Sequence, residues 1–153
     1  MTQPLETRTH TALHILKGAV VKVLGEAARW TTGVYAAGGH GRLTVEFNRK
    51  PTPGEVQEIE RLFNLKVEED QQIESHTVSR VDAEARWGDW IYDRFPIPEH
   101  VTELTVFHLP GWNVNACAKD HTESTGQVGR IVISKTRYRN SKGLLEVSFD
   151  LVE

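Results

Sequence analysis

The chain has 153 residues, of which 39% are hydrophobic and 25% charged, and it can bury roughly two thirds of its unfolded surface, so we predict one domain, residues 1–153. This composition is typical of a folded globular protein and excludes a fibrous or disordered chain. The formal net charge of −3 argues against sequence-indifferent coating of nucleic acid, although a local basic face remains compatible with it.

The N-terminal segment "MTQPLETRTH" contains polar and acidic residues where a secretory signal would need a basic start followed by an apolar run. No segment is apolar enough to span a bilayer. The sequence therefore predicts a cytoplasmic protein without a membrane partner.

The first predicted element is a largely buried helix over residues 10–24. Apolar residues recur there at helical spacing: Leu13, Leu16, Val20, Val23 and Leu24. Thr7 or Thr9 is placed to cap the start of this helix, and Gly25 to end it in a left-handed conformation.

Residues 29–36 and 41–47 read as two strands, joined by "AGGHG", whose glycines suit a hairpin turn. Residues 51–70 begin with proline and an acidic first turn and continue with helical apolar spacing, which predicts an amphipathic surface helix. A strand over residues 73–79 and a short helix over residues 81–87 follow.

Residues 87–100 combine prolines and aromatic side chains, which predicts a packed loop. Its aromatic residues are expected to form a small core: Trp87, Trp90, Tyr92 and Phe95. Residues 101–109 alternate as a strand, and residues 128–138 and 144–151 form a hairpin around "RNSKG". The elements together predict an α+β fold in which an antiparallel sheet wraps around a largely buried N-terminal helix.

Two histidines lie one turn apart on the first predicted helix. His10 and His14 share one helical face, with Cβ atoms roughly 5 to 6 Å apart, which suits two bonds to one metal ion. The residues just after His10 are "TAL", without the glutamate base of the zinc-protease helix motif, so a zinc protease is excluded.

The only cysteine belongs to a second pair with the same spacing. Because Cys117 has no second cysteine to pair with, the chain forms no internal disulfide. The residue is interpretable as a buried filler, a reactive thiol or a metal ligand. His121 follows it in "CAKDH", so the two pairs together offer three imidazoles and one thiolate, a set that zinc favours. The alternative is a set of hydrogen-bonded histidines and an ordinary core cysteine.

These motifs carry a resemblance to a known family. "RTHTALHIL" followed far downstream by "CAKDHTESTGQVGRI" resembles the HxxxH and CxxxH motifs of the alanyl-tRNA synthetase editing domain and its free-standing AlaX relatives, and the similarity extends to "KGLLEVSF". The absence of a large N-terminal extension resembles the short, editing-only form. The resemblance implies the HxxxH/CxxxH fold of threonyl- and alanyl-tRNA synthetase editing domains. It also implies a trans-editing hydrolase that removes serine, and in some relatives glycine, from the acceptor end of tRNA(Ala).

The resemblance also implies roles for individual residues. His10, His14, Cys117 and His121 match the zinc-binding positions of the family, so Zn²⁺ is the expected cofactor. Thr11 matches a residue beside the amino-acid moiety of the substrate. We expect its hydroxyl to bind the seryl side chain, so that an alanyl ester, lacking that hydroxyl, is spared.

Other residues near the two motifs are further candidates. Asn115 is a candidate for orienting a ligand or holding substrate in catalysis, and Thr125 and Gly126 of "TGQVG" are candidates for substrate binding. Lys119 and Asp120 either reach substrate or form an exposed loop. The fuller synthetase domains have "CGGTH" where this chain has "CAKDH", and a glutamine-containing stretch where this chain has "WTTG". These differences leave the substrate contacts undetermined, whereas the metal-ligand positions are unchanged.

The role of the ion also has two alternatives. With an open coordination position, zinc would polarise the ester carbonyl or activate water; with four protein ligands it would only shape the pocket, and backbone groups near "TGQVG" would position the water. An aminoacyl ester is already activated, so orientation is the main task in either case.

A basic segment near the C-terminus is the candidate tRNA-binding surface. It contains Arg130, Lys135, Arg137, Arg139 and Lys142. On a strand, Lys135, Arg137 and Arg139 point the same way and suit acceptor-stem phosphates, with Tyr138 packing on the opposite face. The alternative is a solvated strand face.

The four remaining histidines are interpreted as structural or surface residues: His40 in a turn, and His76, His100 and His108 at strands or strand edges. Two other functions stay open beside editing. One is a non-catalytic RNA-binding module stapled by zinc, and the other is a zinc-dependent hydrolase of a different ester. The sequence does not determine the oligomeric state.

Overall fold

The computed structural model describes residues 3–152. Helix α1 (Leu5–Leu24) begins earlier than predicted, and its N-cap is Pro4, which makes no side-chain capping bond. The predicted cap by Thr7 or Thr9 is therefore wrong, because both residues lie within the helix. Thr9 instead bonds through its hydroxyl to the carbonyl of Gly38 at 2.8 Å, which ties the helix to the following hairpin.

Gly25 ends α1, as predicted, and adopts a positive φ of 88°. Its ψ of 179° is extended, so the residue does not have the left-handed helical conformation that was expected. A positive φ is strained for residues with a Cβ atom, which explains why glycine ends the helix here.

The next elements match the predicted pattern closely. Strands β1 (Thr31–Ala37) and β2 (His40–Glu46) form a hairpin whose turn is Gly38 and Gly39. Helix α2 (Pro53–Glu69) begins with a capping box, in which the side chains of Thr52 and Glu55 each accept a bond from the other residue's backbone N–H.

The second half of the chain contains one strand that the sequence did not predict. Its elements are β3 (Glu74–Ser79), α3 (Arg80–Trp87), β4 (Glu103–Leu109), β5 (Asn113–Ala116), β6 (Ile131–Arg139) and β7 (Leu144–Leu151). The unpredicted strand is β5. It has only four residues, all half-buried, so it lacks the alternation of buried and exposed positions that marks a strand in sequence.

The strands form two antiparallel sheets, in the orders β1-β2-β7-β6 and β3-β4-β5. The α+β class is confirmed, but the prediction of one sheet is wrong. Sheet membership depends on pairings between distant segments, such as β2 with β7, which local alternation does not encode. No helix within residues 3–152 is long and apolar enough to span a bilayer.

Helix α1 packs into the main core, as predicted. Leu13, Leu16 and Val20 are at most 2% exposed and belong to the same cluster as Phe63 of α2 and Phe149 of β7. A smaller core lies under the second sheet and includes Ile91 and Leu104, with Trp87 and Tyr92 packed against it.

The predicted aromatic core of residues 87–100 is only partly correct. Trp87 and Tyr92 pack against the smaller core, whereas Trp90 is 37% and Phe95 66% exposed. Trp90 instead stacks on the guanidinium of Arg29, 3.9 Å from the ring centroid. Trp90 thus packs against a charged side chain and not in the smaller core.

Candidate functional site

The two predicted ligand pairs meet in space. Helix α1 presents His10 and His14, and the loop after β5 presents Cys117 and His121. Their candidate ligand atoms all lie within 4.8 Å of one another, and His10 Nε2 is 3.1 Å from Cys117 Sγ. We call these four residues the His3Cys cluster. The fold builds it from segments remote in sequence.

The donor atoms of the cluster fit a zinc ion. Nε2 of His14 and of His121 are buried and have no hydrogen-bond partner within residues 3–152. Such an unpaired polar atom costs about 1–3 kcal/mol, which a bound cation would offset. Ligand atoms around a tetrahedral zinc ion lie about 3.5 Å apart, and those of the cluster all lie within 4.8 Å of one another, with one pair at 3.1 Å.

Electrostatics keep the imidazoles of the cluster neutral. Burial lowers the pKa of His121 to about 4, with help from His10, and lowers the pKa of His14 well below its usual value, with help from His121 and His10. Burial and Lys119 lower the pKa of His10. Neutral imidazoles have the free lone pair that a metal requires.

The thiol of Cys117 behaves differently from the imidazoles. Burial raises its pKa, so the metal-free thiol keeps its proton at neutral pH. A metal ion must displace that proton, because the thiolate is the ligand.

Hydrogen bonds hold the loop of Cys117 and His121 against α1. Thr11 Oγ1 donates to the carbonyl of Thr7 at 2.7 Å and accepts from the backbone N–H of Thr122 at 3.0 Å. Because Thr122 follows His121 in the chain, Thr11 fixes the position of that ligand. Thr11 has no exposed surface, so its predicted contact with substrate finds no support in this geometry.

Further bonds connect β5 and the preceding turn to the same helix. Asn113 Nδ2 donates to the carbonyl of His14 at 3.0 Å, and Trp112 Nε1 to the carbonyl of Ile15 at 2.9 Å. The ring of Phe107 stacks on that of His14, with centroids 4.4 Å apart. These contacts leave little freedom for the ligands on α1.

A cavity of about 180 Å³, which we call the inner cavity, opens beside the cluster. His10, His14 and Cys117 form part of its wall. The remaining polar groups of the wall are Lys17, Thr31, Asp93, Asn113, Asn115 and Lys119. Among the residues that the structure describes, Asp93 contributes the only carboxylate of this wall.

Two hydrogen bonds organise the polar side of the inner cavity. Lys17 Nζ donates to Thr31 Oγ1 at 2.6 Å, and Asn115 Nδ2 donates to Asp93 Oδ1 at 3.0 Å. Burial lowers the pKa of Lys17 to about 8, against the opposing effect of Asp93, so the amine is still mainly charged at neutral pH. The cavity wall thus contains one hydrogen-bonded cation, Lys17, and one hydrogen-bonded carboxylate, Asp93, with Lys119 as a second cation.

A larger cavity of about 510 Å³, the outer cavity, shares His10, Leu13, Val34 and Lys119 with the inner one. Asp120 also lines it, so the loop between Cys117 and His121 forms part of its wall. Because they share these residues, the larger outer cavity adjoins the smaller inner cavity beside the cluster.

Comparison with curated proteins identifies the family. The alanine–tRNA ligase of Methanopyrus kandleri is 38% identical over 127 residues, that of Pyrococcus abyssi 36% over 129, and that of Ignicoccus hospitalis 33% over 143. These matches cover 83%, 84% and 93% of this chain. The chain belongs to the family of alanyl-tRNA synthetase editing-domain homologues.

The match to this family is confined to part of each relative. The chain spans only 14% of the Methanopyrus and Pyrococcus ligases and 15% of the Ignicoccus ligase. A scan of protein-family models finds no match. The predicted resemblance to editing-domain homologues is confirmed. It covers only the segment of each ligase that aligns with this chain.

Sequence reasoning missed part of the polar wall in this editing-domain homologue. Lys17 carried one signal, since it is a charged residue three positions after His14 in the largely apolar stretch of residues 12–21. Asp93 and Asn113 carried no such signal. Asp93 lies in an irregular segment, and Asn113 begins β5, which has no alternation of buried and exposed residues. Asn115, which was predicted, does line the inner cavity.

Thr125 and Gly126 do not line either cavity of the editing-domain homologue. Thr125 is fully buried, where its hydroxyl donates to the carbonyl of Lys66 at 2.7 Å and accepts from the backbone N–H of Gln71 at 2.9 Å. The N–H of Gly126 donates to Asp70 Oδ1 at 3.0 Å. Both residues anchor their turn to the end of α2, so their predicted substrate contacts find no support here.

The predicted basic face is present on β6, at the edge of the four-stranded sheet. An irregularity between Ile133 and Lys135 shifts the register, so that Ile133 and Tyr138 face the core while Lys135, Arg137 and Arg139 share the outer face. We call these three cations the basic row.

Neighbouring carboxylates reduce the charge of this face. Arg139 Nε donates to Glu146 Oε2 at 2.9 Å, and Arg130 Nη1 to Glu68 Oε1 at 3.1 Å. Lys135, Arg137 and Lys142 are exposed. The accessible charge is therefore centred on Lys135 and Arg137.

Three of the other histidines have carboxylate partners. His40 is the first residue of β2 rather than a turn residue, and its Nδ1 lies 2.9 Å from Asp150 Oδ1. His76 and His108 both contact Glu74. His100 lies in an exposed turn.

Proposed function

We propose that this chain is a zinc-containing aminoacyl-tRNA deacylase that acts in the cytoplasm on mischarged tRNA(Ala). Its main substrate would be the seryl ester, with the glycyl ester second, and residues 1–153 would act as one editing domain. The observation that carries the proposal is the position of the His3Cys cluster in the wall of a small polar cavity. Membership of the editing-domain family supplies the class of substrate.

The two cavities suit the two parts of an aminoacyl-tRNA end. The inner cavity is small and polar, which suits a seryl or glycyl group, whereas the outer cavity is large enough for the terminal nucleoside. Because His10 and Lys119 line both cavities, the ester bond would lie where the two cavities meet, beside the cluster.

Asp93 is the proposed partner of the substrate's α-ammonium group. Within residues 3–152 it contributes the only carboxylate of the inner cavity wall, and the amide of Asn115 holds it in place. The charges are complementary, and a charge-assisted hydrogen bond would orient the amino acid. Asn115 thereby acts as a positioning residue.

Thr31 is the proposed partner of the seryl hydroxyl. Lys17 donates to Thr31 Oγ1, so the Thr31 hydroxyl retains its own proton to donate. A seryl hydroxyl would accept it, whereas an alanyl methyl group would leave it desolvated and unpaired. The proposed contact of Thr31 with the seryl hydroxyl replaces the contact that the sequence predicted for Thr11.

His10, His14, Cys117 and His121 would hold the zinc ion. When bound with four protein ligands, the ion supplies charge and rigidity to the cavity wall, which favours the pocket-shaping role over an open catalytic position. With the ion bound, the lone pairs of these imidazoles would be used for coordination, so they would not act as general bases.

The proposed reaction is hydrolysis of the aminoacyl ester. A water oxygen bonds to the carbonyl carbon, the bond from that carbon to the ribose oxygen breaks, and the proton lost by the water passes to the ribose oxygen. The Lys17 ammonium would stabilise the charge that develops on the carbonyl oxygen. Because the ester is activated, orientation and this one charge account for most of the catalysis.

Incubation with labelled Ser-, Gly- and Ala-tRNA(Ala) tests the proposal. We expect release of serine fastest, glycine more slowly, and alanine at the uncatalysed rate. Binding of tRNA without turnover would instead indicate the zinc-stapled RNA-binding module. Turnover of free amino-acid esters at the same rate as the tRNA esters would indicate a hydrolase of another substrate.

Replacement of Asp93 by asparagine should reduce kcat/KM for Ser-tRNA(Ala) by about 10- to 150-fold, because a hydrogen bond to a charged group contributes about 1.5–3 kcal/mol. The same substitution should change little with N-acetylated Ser-tRNA(Ala), which has no ammonium group. Asp82→Asn, on the exposed side of α3, is the matched control. Equal losses on both substrates would rule out the pairing with the ammonium group.

The basic row is the proposed contact for acceptor-stem phosphates. Charge reversal of Lys135 and Arg137 should weaken tRNA binding and reduce the slope of log K against log salt by about one for each lost phosphate contact. Arg61→Glu is the control, since Arg61 lies on α2 and pairs with Glu58. If affinity and salt slope are the same as for the unmodified chain, the stem binds another surface.

A further inference from the structure

We propose a second divalent metal site on the three-stranded sheet, formed by Glu74, His76 and His108. We call these residues the surface triad. They line neither the inner nor the outer cavity, and the proposal does not depend on the deacylase function. The chemical class of ligand is a borderline cation such as Zn²⁺, Ni²⁺ or Cu²⁺.

The sheet register brings the triad together. Glu74 of β3 pairs directly with His108 of β4, and His76 lies two residues further along β3. Side chains two residues apart on a strand share a face, and so do direct cross-strand partners. The rigid ladder, rather than a flexible loop, therefore sets the spacing of all three side chains.

The ligand atoms converge on one point. Glu74 Oε1 lies 2.8 Å from His76 Nε2 and 3.0 Å from His108 Nδ1, and the three ligand atoms lie within 4.8 Å of one another. With metal–ligand bonds of about 2.1 Å, ligand atoms at right angles around an ion lie about 3 Å apart, and those around a tetrahedral ion about 3.4 Å apart, so the triad is close to the spacing that an ion requires. Both imidazoles thus direct a ring nitrogen at the same carboxylate oxygen.

Ion binding would require only a change of tautomer in each imidazole. In the metal-free triad the nitrogen that faces Glu74 donates its proton to the carboxylate. A neutral imidazole can carry its one proton on the other ring nitrogen, which frees the first nitrogen to bind the ion. The carboxylate supplies a negative charge that compensates part of the charge of the cation.

The surroundings favour a fixed, partly shielded site. The His76 and His108 side chains are 27% and 22% exposed, and Glu74 is 44% exposed. The Trp87 ring covers one side, with centroids 5.5 Å from His76 and 5.4 Å from His108. Two imidazoles with one carboxylate select borderline transition metals over Mg²⁺ and Ca²⁺, and three protein ligands leave a position open to water.

Metal stoichiometry tests the proposal. The full chain, stripped with a chelator, is dialysed against Zn²⁺ and analysed for metal. We expect two equivalents for the native chain, and one each for the His76→Gln/His108→Gln double variant and for Cys117→Ala. His100→Gln, which removes an exposed histidine elsewhere, should keep two. A double variant that binds as many equivalents as the native chain would overturn the proposal.

Two further measurements separate an ion site from a hydrogen-bonded triad. Glu74→Gln keeps an acceptor for both histidines but removes the charge, so it should lose the second equivalent while circular dichroism stays unchanged. Cu²⁺ should quench Trp87 fluorescence in the native chain, and Trp87→Phe should lose that component. Retention of the second equivalent by Glu74→Gln, or quenching that Trp87→Phe does not alter, would contradict the geometry.

Discussion

Replacement of Cys117 by alanine is expected to remove the ion from the His3Cys cluster and to lower the proposed deacylation by more than about 100-fold. The thiolate is one of four ligands, and even the loss of an outer-shell partner typically costs 10- to 100-fold in affinity or activity. His14 Nε2 and His121 Nε2 would again be buried without partners. The measurements are single-turnover hydrolysis of Ser-tRNA(Ala) and metal content.

Cobalt substitution gives a specific readout for this variant. The chain has one cysteine, so thiolate-to-cobalt absorption reports on Cys117 alone and not on the surface triad. We expect this absorption in the native chain and not in Cys117→Ala. A chelator should lower the thermal unfolding midpoint of the native chain more than that of the variant, because a metal that binds the folded state stabilises it. Full activity in the chelated native chain would show that the cluster is dispensable.

Thr11→Val is expected to cost about 1–3 kcal/mol of folding stability, because the new methyl group leaves the buried N–H of Thr122 without an acceptor. Valine has nearly the shape of threonine, so the loss is polar rather than steric. Since Thr122 follows His121, we also expect weaker binding of the ion at the His3Cys cluster. Chemical denaturation and a competition titration with a chelator measure the two effects.

Thr11→Ser provides the matched control, since it keeps the hydroxyl and should retain most of the metal affinity. The pair of variants also distinguishes two roles for Thr11. A positioning role changes metal affinity and leaves the ratio of seryl to alanyl hydrolysis nearly constant. A change in that ratio at unchanged metal affinity would instead support the contact between Thr11 and substrate that the sequence predicted.

Local patterns were sufficient for most elements and for each ligand pair separately. The apolar spacing of α1 and α2, the glycine turn of the first hairpin and the alternation of β7 record which side of each segment is buried. The spacing of His10 and His14 likewise depends only on helix geometry. Each of these features depends only on residues that are close together in the sequence, so the sequence alone was sufficient to predict it.

The tertiary structure alone decided how the segments combine. It separated the strands into two sheets, brought Cys117 to His10, and placed Lys17, Asp93 and Asn115 from three separate parts of the chain around one cavity. It also engaged the Thr11 hydroxyl in two internal hydrogen bonds. A periodic sequence records that a face is buried, but the partner that buries it depends on packing and hydrogen bonding between distant segments, which no local spacing encodes.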